Sequence, residues 1–430
     1  MRIETDMLGE RSLSDDTLYG LQTLRSYENF GKACPRTRLT LIYAMVTVKK
    51  AAALSYLTLA RQENSEEVPL WEAVVSACDR VLNGKADDAF ITSALQGGAG
   101  TSTNMNVNEV LANLALTSLG YPPGSYDIIH PLDMINRGQS TNDVYPTALR
   151  IASIHALRKL SEECASLQEA LQEKELEFEH IPKLGRTEMM DAMEITLGSE
   201  FGAYAQGIAR DRWRLYKIEE RLRQVNLGGT AVGTGAHADR KYCYLVIEQL
   251  RLLTDIGLAA AEYPMDMTQN QDVFVEVSGL LKALAVNLMK IASDLRLMAS
   301  GPAGGLAEIS LPPLQRGSTI MPGKVNPVLP EMVSQVCMRV IANDTAISLA
   351  ASNGNFELNA FLPLIADALL ESLELLTETV FLFRSKCILG IRANENRCKE
   401  LLEHSATAIY HRSTSIGYDA AEKEYYQKSE

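Results

Sequence analysis

Val277, Leu281, Leu284, Leu288, Ile291, Leu295 and Met298 step along the chain by four, three, four, three, four and three residues. That spacing lays an apolar stripe along one side of an α-helix for about six turns, and such a stripe needs another helix to cover it. Leu157, Leu160, Cys164, Leu167 and Leu171 repeat the pattern, as do Leu215, Ile218, Leu222 and Val225. A further run, Ile365, Leu369, Leu373, Leu376, Val380 and Phe383, follows Pro363, a residue tolerated in a helix's first turn. With residues 330–349 added, the pattern predicts at least five long helices between about 140 and 390. Helices of this length must bury their seams against one another, so the expected fold is all-α with a central long-helix bundle. Stripes on more than one side of such helices are often buried between subunits, which makes a homo-oligomer the expected state.

The texture changes on either side of this core. Residues 1–139, with loops such as GYPPGSYD, predict an N-terminal, mainly helical domain of shorter helices. Residues 140–392 form the central domain, and residues 393–430 predict a short C-terminal helical domain. Internal repeats, low-complexity tracts and strong strand alternation are not evident.

Charge and cysteine usage remove several function classes. The formal net charge of -13 argues against nucleic-acid or anionic-membrane partners, which select a basic face. No stretch reaches the roughly 18 unbroken apolar residues of a membrane span. The opening MRIETDMLGERSLSDD lacks the apolar core of a signal peptide. Seven cysteines are scattered singly, without a CxxC pair, as expected of reduced thiols in a cytoplasmic protein. The six histidines form no HxxH or HxxxH pair beside a carboxylate, so neither a metal site nor any other cofactor is expected.

Four polar segments interrupt the helical runs: GGAGTSTNMNVNE (97–109), NRGQSTNDVYP (136–146), GRTEMMDAME (185–194) and RGSTIMPGKVNP (316–327). Thr, Ser and Asn at such junctions most often cap helices. Four segments this rich exceed what capping needs, and together they supply neutral donors suited to carboxylate oxygens without a metal. GGTAVGTG (228–235) is not a nucleotide loop, because it follows a helical seam rather than a strand and lacks GxGxxG spacing. A helix-to-helix turn is expected there.

RGSTIMPGKVNP resembles the signature loop of the aspartase/fumarase superfamily, G-S-S-x-M-P-x-K-x-N, with Thr319 at the second serine. The resemblance extends in the family's order through GTSTNMNVNEVLAN, GQSTNDVYPTA, GRTE-x-x-DA, NLGGTAVGTG, SDLRLMASGPAGGLAEISLP and GNFELN. Within the superfamily, TSTNMN and NPVLPE are similar to the aspartate ammonia-lyase branch rather than to fumarases. The resemblance implies a homotetramer whose central helices form one large helical core, with active sites shared among three subunits. It implies that Ser318 is the base removing a proton from the carbon beside one carboxylate. Thr101, Ser140, Thr141 and Thr319 would hold that carboxylate. Thr187, Lys324 and Asn326 would grip the other, and Asn142 would line the site near the amino group.

The residues support that chemistry on their own terms. Removing a proton beside a carboxylate drives a second negative charge onto it, which preorganised donors must meet. Serine is a poor base unless its alkoxide is stabilised. Backbone N–H groups freed by Gly317 and Gly323, together with Lys324, are expected to do this, and the glycines to let the loop close.

Three departures bear on substrate. Glu188 stands where aspartases carry His or Gln, and its carboxylate would repel a substrate carboxylate unless protonated or paired with Lys324. Met134 replaces a usual His, and the C-terminal domain reads as shortened. The expected reaction is reversible elimination of ammonia from L-aspartate to give fumarate. Alternatives are an ammonia- or amine-lyase acting on another amino acid or a betaine-like substrate, a fumarase-type hydratase, and a non-catalytic structural homologue.

Overall fold

The computed structural model describes residues 1–31 and 34–429. Five long helices span Thr141–Glu177, Leu197–Leu222, Asp272–Met298, Val328–Ser352 and Leu362–Lys386. Every seam residue named above is at most 3% exposed. Val225 alone falls outside a helix: that helix ends at Leu222, and Gln224–Val225 pairs as a two-residue parallel strand with Ala259–Ala260. The fold is all-α, its few strands forming only two-stranded pairs among the described residues. No helix among them is long and apolar enough to cross a membrane, and all seven cysteines are free thiols.

Two local features differ from the sequence reading. Leu39–Gln62 is a helix of 24 residues in a region expected to hold shorter ones. GRTEMMDAME is no simple interhelical loop: Pro182–Thr187 pairs antiparallel with Met190–Thr196. Its Glu and Met residues favour helix, and tertiary partners override that preference. Lys183 is buried, with Nζ donating to Glu200 Oε2 at 2.6 Å and Glu308 Oε2 at 2.9 Å. Arg186 reaches the other oxygen of the fully buried Glu308 at 2.8 Å. A helix would pull these cations off their shared carboxylate.

The chain divides into two compact units. The first comprises Met1–Arg158, Tyr216–Gly279 and Ala342–Leu373. Within it, Ser278 donates to Asp344 at 2.9 Å and Asn343 to Glu371 at 2.7 Å, linking three of the long helices side by side. The second comprises Lys159–Leu215, Leu280–Ile341 and Glu374–Glu430. There, Arg212 donates to Gln168 at 2.8 Å and Asn287 to Asp211 at 2.7 Å. Three helices, Glu395–Glu403, Thr407–Ile416 and Tyr418–Ser429, complete that unit.

Candidate active site

In the first unit, Ser140 caps the helix Thr141–Glu177. The Asn142 N–H donates to Ser140 Oγ at 3.2 Å, and the Ser140 N–H donates to Asp143 Oδ1 at 2.9 Å. This is the reciprocal arrangement of a capping box. Capping leaves the Ser140 proton uncommitted, because its oxygen accepts. Thr141 Oγ1 accepts from Asn104 Nδ2 at 3.1 Å and likewise keeps its proton. Pro146 has no N–H to offer the Asn142 carbonyl four residues earlier. The amide of Asn226 fills that gap at 3.0 Å, while the Asn142 amide donates to the Ala231 carbonyl at 2.7 Å.

GGTAVGTG does connect two helices, and its backbone serves this turn. The N–H groups of Gly228 and Thr230 donate to the buried Asp143 carboxylate at 3.1 and 2.9 Å. Burial pushes Asp143 up to about 6, and its backbone hydrogen bonds oppose the rise.

Thr101 opens the helix Thr101–Ser118 after three left-handed residues, Gly98, Ala99 and Gly100. Its exposed hydroxyl donates to the Gly98 carbonyl at 2.7 Å, so binding a substrate oxygen requires that proton to rotate away. Of the remaining hydroxyls and amides of this segment, Thr103, Asn104, Asn106 and Asn108 are buried and Ser102 is half-buried. Gly100 has φ of 95°, and a Cβ there would sit 2.2 Å from the Tyr145 ring. Gly100→Ala is expected to destabilise the protein by about 2–5 kcal/mol through overpacking and left-handed strain. Urea denaturation checks this: a midpoint equal to wild type would mean the Tyr145 ring moves aside freely.

In the second unit, the Ser318 loop is built as an internal turn. Ser318 Oγ accepts from the N–H groups of Ile320 at 3.2 Å and Met321 at 2.9 Å. These are not the donors expected from the sequence. The Gly317 N–H donates to the Lys324 carbonyl at 2.9 Å, where a Cβ on residue 317 would come within 2.6 Å of that same oxygen. Gly323 supplies the left-handed turn, with φ of 83°. Asn326 Nδ2 donates to the Gly317 carbonyl at 2.8 Å and closes the loop. Ser318, Thr319 and Lys324 line one open cleft of about 610 Å³, and Lys324 with Asn326 lines another of about 1160 Å³. Two N–H donors on one serine oxygen favour its ionised form, as a general base requires.

Thr187 and Glu188 lie exposed at the tip of the hairpin. Glu188 and Met189 form its two-residue turn with φ of 54° and 69°, a conformation normally given to Asn-Gly. Each non-glycine residue held there costs roughly 1–2 kcal/mol. Among the described residues, neither Glu188 nor Lys324 has an ion-pair partner within the chain. Lys49, Asn136, Asp143 and Glu308, none of them a candidate from sequence, are all buried or half-buried. Two adjacent lysines, Lys49 and Lys50, amid the apolar run AMVTVKKAAAL were a visible signal, and Asn136 and Asp143 lie within the polar segment NRGQSTNDVYP.

Comparison with known proteins agrees along nearly the whole chain. Residues 9–342 match the model of a family described as Lyase. Aspartate ammonia-lyase from Bacillus subtilis (strain 168) is 44% identical over 420 residues, covering 98% of this chain and 88% of that protein. Aspartate ammonia-lyase from Helicobacter pylori (strain ATCC 700392 / 26695) is 43% identical, covering 97% of this chain and 89% of its own length. Among solved structures, fumarate lyase:delta crystallin from Brucella melitensis in native form superposes with a TM-score of 0.92 at 42% identity, over 99% of this chain and 96% of that one. Recombinant class II fumarase from Schistosoma mansoni gives 0.93 at 32% identity, over 98% and 91%. The chain therefore belongs to this lyase family, the aspartase/fumarase superfamily.

Proposed function

We propose that the protein eliminates ammonia reversibly from L-aspartate to give fumarate, with Ser318 as general base and no cofactor. The observation that carries this is the Ser318 oxygen, held by two backbone N–H groups on an open loop that also presents Lys324. The likeness to aspartate ammonia-lyases supports the substrate. The Ser318 alkoxide takes a proton from the carbon beside the first carboxylate, and the C–H electron pair delocalises into that carboxylate. Thr101, Ser140, Thr141 and Thr319 donate to it as the charge grows. The carbon–carbon double bond then forms as the C–N bond breaks, its electron pair leaving with ammonia. Thr187, Lys324 and Asn326 hold the second carboxylate, and Asn142 lines the amine side. The free thiols suit a cytoplasmic enzyme.

We also propose a homotetramer with sites shared between subunits. Gln335, Met338, Ala342, Thr345, Leu349 and Ser352 are exposed on one helix at intervals of three and four, without a charge among them. A coiled-coil-like stripe of this kind suits burial against another subunit.

Addition to fumarate tests the reaction directly. Fumarate absorbance is expected to fall only when both protein and an ammonium salt are present. A fall without ammonium would support the hydratase reading instead.

Glu188 favours a second reading, in which the substrate carries a cation or N–H group beside this carboxylate. An ionised Glu188 near a substrate carboxylate would cost on the order of 1–4 kcal/mol. With aspartate as substrate, Glu188→Gln is expected to leave kcat/KM unchanged, if Glu188 is already protonated or paired, or to raise it by up to about a thousandfold if that whole cost is relieved. Collapse of aspartate turnover in that variant would favour the second reading.

A further inference from the structure

Lys49 is one of the largest fully buried side chains, only 1% exposed, and the proposed chemistry makes no use of it. Its ammonium donates to Asn136 Oδ1 at 2.8 Å. The same oxygen accepts from Asn104 Nδ2 at 3.1 Å and from Asn108 Nδ2 at 3.2 Å. Asn104 gives the other hydrogen of that amide to Thr141 Oγ1, also at 3.1 Å. Behind Thr141, Asp143 supplies a buried carboxylate whose charge opposes that of Lys49.

Direction is the informative property of this chain of bonds. Burial lowers the Lys49 ammonium to about 7, while Asp143 opposes the fall. In its charged form it has three protons and no lone pair, so the Asn136 atom facing it is then the carbonyl oxygen. Asn136 Nδ2 then points the other way and donates to the Gln139 carbonyl at 3.1 Å. With the Asn136 oxygen fixed as an acceptor, Asn104 must face it with its amino group, and the second hydrogen of that group falls on Thr141. Thr141 is thereby cast as acceptor on its inner side, which leaves its proton for whatever lies outside. Were Asn104 reversed, its oxygen would draw that proton inward.

We propose that Lys49 is a positioning residue that, through Asn136 and Asn104, sets the Thr141 hydroxyl as a fixed donor to a substrate carboxylate. This rests on the carboxylate-binding role proposed for Thr141. A donor oriented before the reaction needs no reorganisation as charge develops, the condition under which such donors contribute most to rate. The buried charge does not touch the substrate. It fixes the sense of the hydrogen bonds leading to it.

A double-mutant cycle tests the proposal on the full-length protein, read by aspartate turnover and by calorimetric titration with succinate, an unreactive dicarboxylate. Lys49→Met is expected to lower kcat/KM by about 100-fold, the loss typical of removing one preorganised donor. In a Thr141→Val background, the same change should cost less than about threefold, because no hydroxyl remains to orient. Asn104→Leu breaks the chain one bond nearer the substrate and should follow the same pattern, costing about 100-fold with Thr141 present and less than about threefold in the Thr141→Val background. It decides the matter if Lys49→Met fails to fold. Penalties of equal size with and without Thr141 would overturn the inference and leave a merely structural role for Lys49. Wild-type protein that neither turns over aspartate nor binds succinate would overturn the proposed function and this inference together. Succinate binding without turnover would sink only the reaction, and the cycle would then be read from succinate affinity.

Discussion

Ser318→Ala is expected to lower the rate of fumarate formation by at least about a thousandfold, with secondary structure and melting temperature close to wild type. The size follows from what the oxygen does. Removing the base from a proton abstraction forfeits both the proton acceptor and the donors arranged around it, and losses of ~10³ or more accompany such removals. The mildness for the fold follows from the site. Ser318 is only partly buried, and its oxygen accepts two loop N–H bonds that water can replace. KM should move far less than kcat, since the groups proposed to grip the carboxylates remain. Steady-state kinetics beside a thermal melt checks both halves, and a variant with more than about a tenth of wild-type kcat would remove Ser318 from the mechanism.

Mixing inactive variants should restore activity from essentially none. Thr187→Ala and Ser318→Ala are each expected to be nearly inactive alone. If a site takes Thr187 from one subunit and Ser318 from another, random reassembly of equal amounts leaves roughly a quarter of sites with both residues intact. Dissociation in mild denaturant, mixing, refolding and assay would therefore recover on the order of a quarter of wild-type activity. Mixed tetramers, verified by mass, that stay inactive would mean that each site takes Thr187 and Ser318 from the same subunit, against sharing of these two residues.

How much of this was legible in sequence depended on which physical signal each residue leaves. The seams were readable because burial repeats with the helix period, and the seven seam residues between Val277 and Met298 are all inward. Pro363 marked its helix start correctly, lying in the first turn of Leu362–Lys386. The hairpin at 182–196 was not readable. It is specified by Lys183 and Arg186 meeting Glu308, a residue more than a hundred positions further along, and local preference points the other way. At Ser318 the sequence named the loop but misplaced its donors, because hydroxyl-to-backbone bonds within a turn depend on dihedral angles that the spacing of glycines does not fix. Lys49 leaves only a weak trace, since of the adjacent pair Lys49 and Lys50 in an apolar helix either reads equally as the surface position. Its meaning lies in the polarity of the bonds around Asn136, visible only once the partners are in place.

The forward reaction bears most directly on Ser318 as the base of a metal-free elimination. Purified protein treated with a chelator is mixed with L-aspartate, and fumarate is followed by absorbance while ammonia is assayed in parallel. Fumarate and ammonia are expected in equal amounts, undiminished by the chelator, and absent in Ser318→Ala. No fumarate from L-aspartate alongside robust turnover of another amino acid, or activity that returns only when a divalent metal is restored, would contradict this expectation.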